Sequence, residues 1–136
     1  MIKKINHVGI ITGNLENTLK MYQKVFGLIP AVVKETMEGK LKVAFVRFGD
    51  NEIELLQPVD QNLPMAKFLL TKGQGIHHIC LEVDDIEAEV KAFLEKGATM
   101  VDQKPRPGAH NTRVAFVHPK SSGGVLIELC EFPKKV

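Results

Sequence analysis

Val43-Ala-Phe-Val46 recurs 71 positions later in the chain as Val114-Ala-Phe-Val117. A histidine precedes each copy at the same distance, and an Ile-Glu-Leu triplet follows each copy. These flanking landmarks are His7 and 53–55 in the first half, and His78 and 127–129 in the second. Matching segments in the same order and at nearly constant spacing indicate an internal duplication, and a duplication of this length decides the fold.

Both halves show the same succession of local patterns. An alternating β-rich segment opens each half, and apolar residues at helical spacing follow it. Turn signals then separate three further strands in each half. The predicted strands lie at 4–11, 29–36, 41–48 and 52–57 in the first half, and at 76–83, 99–103, 112–118 and 124–131 in the second.

Capping residues mark the predicted helix ends. Asn14 is suited to cap the first helix, and Gly27 is suited to end it. Asp84 and Glu87 have the spacing of a capping box at the start of the helix in the second half. Pro64 suits the first position of a short helix that connects the halves.

The predicted fold class is α+β. Two tandem strand-helix-three-strand modules are expected to form a cupped eight-stranded mixed sheet with the helices on the outside. A chain of 136 residues, of which 44% are hydrophobic and 25% charged, suits a single domain over 1–136. Module one would cover about 1–60, the connecting helix about 61–73, and module two about 74–136.

Composition and charge exclude several classes of function. The 18 basic and 16 acidic residues are spread along the chain, which does not match the basic footprint of a nucleic-acid-binding protein. No apolar run approaches the roughly 20 residues of a membrane helix, and the N-terminal residues lack the pattern of a secretory signal. Two cysteines cannot form a disulfide framework, so we expect a reduced, cytoplasmic protein.

Strand alternation predicts that four polar side chains share one face of the sheet. In each module, a histidine of the first strand and a glutamate of the last strand point away from the apolar residues that the helices must cover. These residues are His7 and Glu54 in module one, and His78 and Glu128 in module two. Two imidazoles and two carboxylates form a suitable ligand set for a divalent first-row metal. A single histidine or glutamate on a strand usually has only a structural role. Because the pair recurs in both modules, metal binding is favoured.

Cys80 and Cys130 have the same strand parity as these four residues. Cys80 lies two positions after His78, and Cys130 lies two positions after Glu128. We expect them to be small residues that line the pocket, since nothing indicates a thiol of low pKa. His77 has the opposite parity to His78 and is expected to be structural.

Paired modules of this order resemble the vicinal oxygen chelate superfamily, which includes glyoxalase I, extradiol dioxygenases and methylmalonyl-CoA epimerases. The resemblance to the epimerases is closer and covers nearly the whole chain. The most specific segment is His118-Pro-Lys-Ser-Ser-Gly-Gly-Val-Leu-Ile-Glu-Leu129. The other segments that carry it are 7–10, 52–58, 75–80, 83–86 and 105–108.

The resemblance implies that His7, Glu54, His78 and Glu128 bind one divalent metal ion, with cobalt, manganese, nickel and zinc all possible. It implies epimerisation of methylmalonyl-CoA, in which α-proton abstraction proceeds through a metal-stabilised enolate. Because the repeat relates Glu54 to Glu128, we expect these two residues to act as acid and base. The resemblance also implies an acyl-CoA substrate and a homodimer.

The sequence departs from the family pattern at one position. Some epimerases have a second glutamate on the strand at 41–48, at a position that the register assigns to Val43. The identity of the second acid or base therefore stays open. Lys104, Arg106 and Lys120 lie in predicted loops and are expected to bind the coenzyme A portion of the substrate.

Two alternative functions stay open. Glyoxalase I has a ligand set that resembles this one equally well, and its reaction also uses a metal-stabilised enediolate. A non-catalytic metal-dependent small-molecule-binding protein is the alternative from another class. The segments within 105–129 favour the epimerase. An extradiol dioxygenase matches less well, because its site has two histidines and one carboxylate and leaves positions open for oxygen.

Overall fold

The computed structural model describes residues 1–134, which contain eight β-strands and three α-helices. The strands are β1 Ile2–Ile11, β2 Pro30–Thr36, β3 Leu41–Phe48, β4 Asn51–Pro58, β5 Gly75–Val83, β6 Arg106–Pro107, β7 Arg113–Val117 and β8 Leu126–Glu131. The helices are α1 Leu15–Phe26, α2 Pro64–Lys72 and α3 Ile86–Glu95. None of the helices in this range has the length and apolarity that crossing a membrane requires.

The chain divides into two compact units. The first unit is His7–His77, and the second unit consists of Met1–Asn6 together with the residues from His78 onward. The first unit therefore contains most of module one and the connecting helix. The second contains module two and the first residues of β1. The α+β fold class and the repeated strand-helix-three-strand order are confirmed.

The sheet of the first unit has the strand order β2-β3-β4-β1. Strands β2, β3 and β4 are antiparallel neighbours, whereas β4 and β1 are parallel. The second unit repeats this arrangement in the order β6-β7-β8-β5, with β8 and β5 parallel. The parallel pair in each unit is the pair that carries the predicted histidine and glutamate.

Helix α1 begins and ends where its sequence predicts. The Asn14 side chain accepts a hydrogen bond of 2.9 Å from the Asn17 N–H, which satisfies one of the unpaired donors at the helix start. Gly27 ends the helix with a φ of 68°, in the left-handed region. The helix packs on the face of the sheet that presents Ile10, Ala44, Val46, Ile53 and Leu55.

Helix α2 packs on the opposite face of the same sheet, which differs from the expectation that all helices lie outside. It begins with Pro64 at its first turn, as predicted. The helix and the residue before it contact β1, β3 and β4 through Leu63, Met65, Phe68 and Leu69, which meet Ile11, Leu41, Val43, Phe45 and Leu56. Strand β3 is apolar on both faces, so a second helix can bury the face that also carries His7 and Glu54.

Helix α3 is capped by Asp85, and the prediction of Asp84 as the capping residue is wrong. The Asp85 side chain accepts a hydrogen bond of 3.1 Å from the Ala88 N–H, because the first helical residue is Ile86. The Asp84 carboxylate lies 3.6 Å from the Lys3 ammonium instead. The helix packs through Ile86 and Val90 on a core that also contains Val83, Met100, Ala115, Val117 and Leu129.

The strand predicted at 99–103 is not formed, and this prediction is wrong. Met100 makes a single bridge to Val117, and the outermost strand of the second unit is the two-residue β6 at 106–107. The Asp102 carboxylate accepts a 2.9 Å hydrogen bond from the Phe116 N–H, which a strand carbonyl would otherwise accept. Backbone hydrogen bonds join Thr99 and Val101 to β7 and the residue that follows it, and the ladder stops where the Asp102 side chain takes the place of a backbone carbonyl.

Candidate active site

The first unit brings His7 of β1 beside Glu54 of β4. The parallel register pairs Gly9 with Glu54, so the carboxylate and the imidazole two residues away project from the same face. The distance between His7 Nε2 and Glu54 Oε1 is 3.5 Å. The side chain of His7 is 12% exposed and that of Glu54 is 11% exposed. A largely buried carboxylate beside an imidazole is an arrangement that occurs at functional sites.

The second unit repeats this pair with His78 of β5 and Glu128 of β8. The register pairs Cys80 with Glu128, which is equivalent to the pairing of Gly9 with Glu54. The His78 Nε2 and Glu128 Oε1 atoms are 3.4 Å apart, and the side chains are 3% and 13% exposed. The duplication therefore preserves the atoms that face each other as well as the residue types.

The donor atoms of each pair are compatible with a shared metal ion. Two ligand atoms that each lie about 2.1 Å from an ion are separated by about 3.0 to 3.4 Å when the angle between them is roughly 90 to 110°. The observed separation of 3.4 Å in the second unit lies at the upper end of this range, and that of 3.5 Å in the first unit lies just above it. Imidazole nitrogen and carboxylate oxygen are also the donors that first-row divalent ions prefer. Each pair therefore suits two adjacent ligand positions.

A phenylalanine from each copy of the repeated tetrapeptide flanks each pair. Phe45 lies opposite Glu54 in the register of β3 and β4, and Phe116 lies opposite Glu128 in the register of β7 and β8. Sequence reasoning did not assign these two residues to the site. The signal was present, because the tetrapeptide that reveals the repeat contains both of them and strand parity places each on the same face as its glutamate.

Of the three residues predicted to contact coenzyme A, Arg106 lies on the face that carries Glu128. Its guanidinium carbon is 5.4 Å from the ring centroid of Phe116. The Asp102 carboxylate accepts a 3.0 Å hydrogen bond from Arg106 Nε. Because Asp102 also binds the backbone of Phe116, the guanidinium is held in a fixed relation to the aromatic ring.

The other two predicted contacts lie elsewhere on the second unit. Lys104 is exposed and lines a groove against α3, which packs on the opposite face of the sheet from Phe116. Lys120 is exposed in the short turn Pro119–Ser121, where its backbone N–H donates a hydrogen bond to His118 Nδ1. Of the three residues, Arg106 is thus the one whose side chain contacts the ring of Phe116.

The two cysteines are buried in the second unit. They pack with Val114 and Phe132. The pKa of the Cys80 thiol is raised above its ordinary value, because the thiol is hydrogen-bonded to Cys130 and because burial disfavours the thiolate. A neutral, buried thiol is a poor nucleophile, which agrees with the expectation that this thiol does not have a low pKa. His77 meets the ring of Phe68 edge-on, with centroids 4.9 Å apart.

Comparison with known proteins identifies relatives along nearly the whole chain. A family profile of the Glyoxalase/Bleomycin resistance protein/Dioxygenase superfamily matches residues 6–116. The mitochondrial methylmalonyl-CoA epimerase of Dictyostelium discoideum is 43% identical over 96% of this chain and 79% of its own length. The ethylmalonyl-CoA/methylmalonyl-CoA epimerase of Cereibacter sphaeroides is 37% identical over 95% of this chain and 98% of its own.

A solved structure of a methylmalonyl-CoA epimerase has a similar fold. A variant of Streptomyces coelicolor methylmalonyl-CoA epimerase, in complex with 2-nitronate-propionyl-CoA, has a TM-score of 0.90 and 28% identity. The match covers 97% of this chain and 96% of that one. The chain therefore belongs to the Glyoxalase/Bleomycin resistance protein/Dioxygenase superfamily and, within it, to the family of the methylmalonyl-CoA epimerases.

Proposed function

We propose that this protein is a metal-dependent methylmalonyl-CoA epimerase, which removes the α-proton of its substrate and returns a proton to the opposite face. The observation that carries the proposal is the repeated pairing of a histidine with a glutamate, 3.5 Å apart in the first unit and 3.4 Å apart in the second. Membership of the epimerase family supports the choice of substrate.

The proposed protein ligands of one divalent metal ion are His7, Glu54, His78 and Glu128. Bound there, the ion would act as a Lewis acid that makes the α-proton of the thioester more acidic. This assistance is needed because a carboxylate with an ordinary pKa of about 4.3 is too weak a base for an unassisted carbon acid. The nitrogen and oxygen donors suit cobalt, manganese, nickel and zinc.

Glu128 and Glu54 are the proposed proton carriers. One carboxylate accepts the α-proton while the electrons of the C–H bond move into the thioester enolate. The other glutamate, loosened from the ion and protonated before the step, donates its proton to the opposite face of the same carbon, which inverts the configuration and exchanges the protonation states of the two side chains. The repeat supports this division of roles, since the two glutamates occupy equivalent strand positions with equivalent imidazole partners.

The aromatic residues beside the carboxylates support this chemistry by excluding water. Phe45 is 1% exposed and adjoins Glu54 in the sheet. The ring of Phe116 adjoins the second pair in the same way. Electrostatic interactions strengthen where apolar groups displace water, so charge that develops in the transition state is stabilised more effectively.

The coenzyme A portion of the substrate is proposed to contact Arg106, Lys104 and Lys120. Arg106 has the strongest support, because Asp102 holds its guanidinium beside Phe116. A pre-oriented guanidinium loses little freedom when it binds a phosphate group. The predicted homodimer and the predicted cytoplasmic location stay predictions.

Two substrates separate the proposed function from its alternatives. The metal-loaded protein is incubated with one epimer of methylmalonyl-CoA and, separately, with the glutathione adduct of methylglyoxal. We expect epimerisation of the first and no turnover of the second. Turnover of the glutathione adduct alone would support the glyoxalase I function, and tight binding without turnover across several metals would support the non-catalytic binding protein.

A further inference from the structure

Lys34 occupies a position in the first unit that is equivalent to that of Arg106 in the second. Lys34 lies opposite Val43 in the register of β2 and β3, and Arg106 lies opposite Val114 in the register of β6 and β7. The two valines begin the two copies of the repeated tetrapeptide. Each cation is carried by the outermost strand of its unit. The duplication therefore places one cationic residue at the same site in both modules.

The side chains of the two cations also make equivalent contacts. Lys34 Nζ lies 5.7 Å from the ring centroid of Phe45, just as the Arg106 guanidinium lies 5.4 Å from that of Phe116. Phe45 adjoins Glu54 on the neighbouring strand. The Lys34 ammonium is therefore on the face of the first unit that carries His7 and Glu54, and one side chain separates it from Glu54 in the sheet.

The surroundings of the two cations differ in one respect. The Asp102 carboxylate is bonded to the Arg106 guanidinium, whereas no carboxylate within residues 1–134 pairs with the Lys34 ammonium. At a partly exposed site, a cation over an aromatic ring is stabilised less than it would be by a charged hydrogen bond. An anion that enters this face would find a half-buried ammonium available to bind it.

We propose that Lys34 binds the free carboxylate of the acyl group and so selects malonyl-type thioesters over thioesters that lack this carboxylate. The inference rests on the proposed function, since it assigns a substrate group to the same site. Methylmalonyl-CoA differs from propionyl-CoA by this one carboxylate. An ammonium on the face that carries Glu54 lies on the side of the sheet where the group adjacent to the reacting carbon must be held. Lys34 is thus a specificity-determining residue that sequence reasoning missed.

Binding of two ligands to the metal-loaded protein tests the proposal. Lys34→Met keeps an unbranched side chain against Phe45 and removes the charge, and Lys34→Arg keeps the charge. Calorimetric titration of Lys34→Met should show about tenfold or weaker binding of methylmalonyl-CoA, with propionyl-CoA unchanged within about twofold. Lys34→Arg should recover part of the loss. Lys42→Met is the matched control, because Lys42 is an exposed lysine of the adjacent strand with the opposite parity.

Two results would overturn the inference. Equal weakening of both ligands in Lys34→Met would mean that Lys34 contacts the coenzyme A portion, and unchanged binding of both would mean that its role is structural. Thermal unfolding of each variant checks that the fold is retained. The wild-type protein is assayed for epimerisation in the same series. If the wild type epimerises methylmalonyl-CoA and Lys34→Met changes the binding of both ligands equally or not at all, only this inference is contradicted. If the wild type is inactive, the proposed function is contradicted.

Discussion

The ring of Phe116 meets the imidazole of His78 edge-on, with ring centroids 5.9 Å apart and 82° between the ring planes. Such an edge-to-face contact restricts the orientation of both rings. Phe116 also lies opposite Glu128 in the sheet. One aromatic residue therefore borders both members of the His78–Glu128 pair and limits how the imidazole can turn.

Phe116→Ala should weaken metal binding, because residues that orient a metal ligand commonly contribute tenfold or more to affinity. We expect the dissociation constant of a divalent ion, measured by calorimetry on metal-free protein, to rise about tenfold. Phe93→Ala is the control, since Phe93 packs on the core beneath α3. That variant should lose stability and keep its metal affinity, and an equal loss of affinity in both variants would argue against an orienting role.

The Glu131 side chain connects β8 to the start of α3. Its Oε1 accepts a 3.1 Å hydrogen bond from the Ile86 N–H, and its Oε2 lies 3.6 Å from an Arg113 nitrogen. Glu131→Ala should lower the free energy of unfolding by about 1–3 kcal/mol, because it removes a partly buried charged acceptor at a helix N-terminus. Urea unfolding measures this change. Glu16→Ala, which removes an exposed pair with Lys20, should change stability by less than about 0.5 kcal/mol.

Gly108 lies where no side chain can be accommodated. A Cβ atom at this position would come within 2.5 Å of Val114 Cγ1 and 2.8 Å of Thr112 Oγ1. Gly108→Ala should therefore destabilise the protein by about 1–3 kcal/mol through overpacking of the hairpin between β6 and β7. At Gly13 the nearest atom would be 3.6 Å away, so Gly13→Ala should be tolerated. Equal melting temperatures for the two variants would contradict this account.

Asp102→Asn should loosen Arg106 while it leaves an oxygen to accept the Phe116 N–H. If Arg106 binds coenzyme A, the KM for methylmalonyl-CoA should rise about two- to fivefold with a smaller change in kcat, since the lost interaction orients substrate binding. The modest size follows from the 54% exposure of the Arg106 side chain. A fall in kcat at constant KM would instead connect Asp102 to the chemical step.

Periodicity and capping chemistry were enough to predict most of the fold. The duplication predicted the module order, and Asn14, Gly27 and Pro64 each lie at the helix end that their chemistry suggests. These signals are local, since a cap or a stop depends on the backbone of a few consecutive residues. Strand parity likewise predicted that each histidine would share a face with the glutamate of its own module.

Features that depend on contacts between distant segments could not be predicted in this way. The strand expected at 99–103 is reduced to one bridge at Met100, and the ladder stops where the Asp102 side chain accepts the Phe116 N–H. The packing of α2 on the site face depends on β3 being apolar on both sides. The equivalence of Lys34 and Arg106 depends on the strand register, which a bulge between Pro30 and Val32 shifts in the first unit. The spacing of residues in the sequence does not by itself predict which residues pair across neighbouring strands.

Exchange of the substrate α-proton in heavy water tests the proposed metal site and its glutamates most directly. Metal-free protein, the same protein with one divalent ion restored, and a restored Glu128→Gln variant are each incubated with methylmalonyl-CoA, and deuterium at the α-carbon is followed by NMR. We predict exchange in the restored wild type, none in the metal-free protein, and exchange slowed at least about a hundredfold in the restored variant. Exchange that persists in the metal-free protein, or that proceeds normally in Glu128→Gln, would contradict the proposed site.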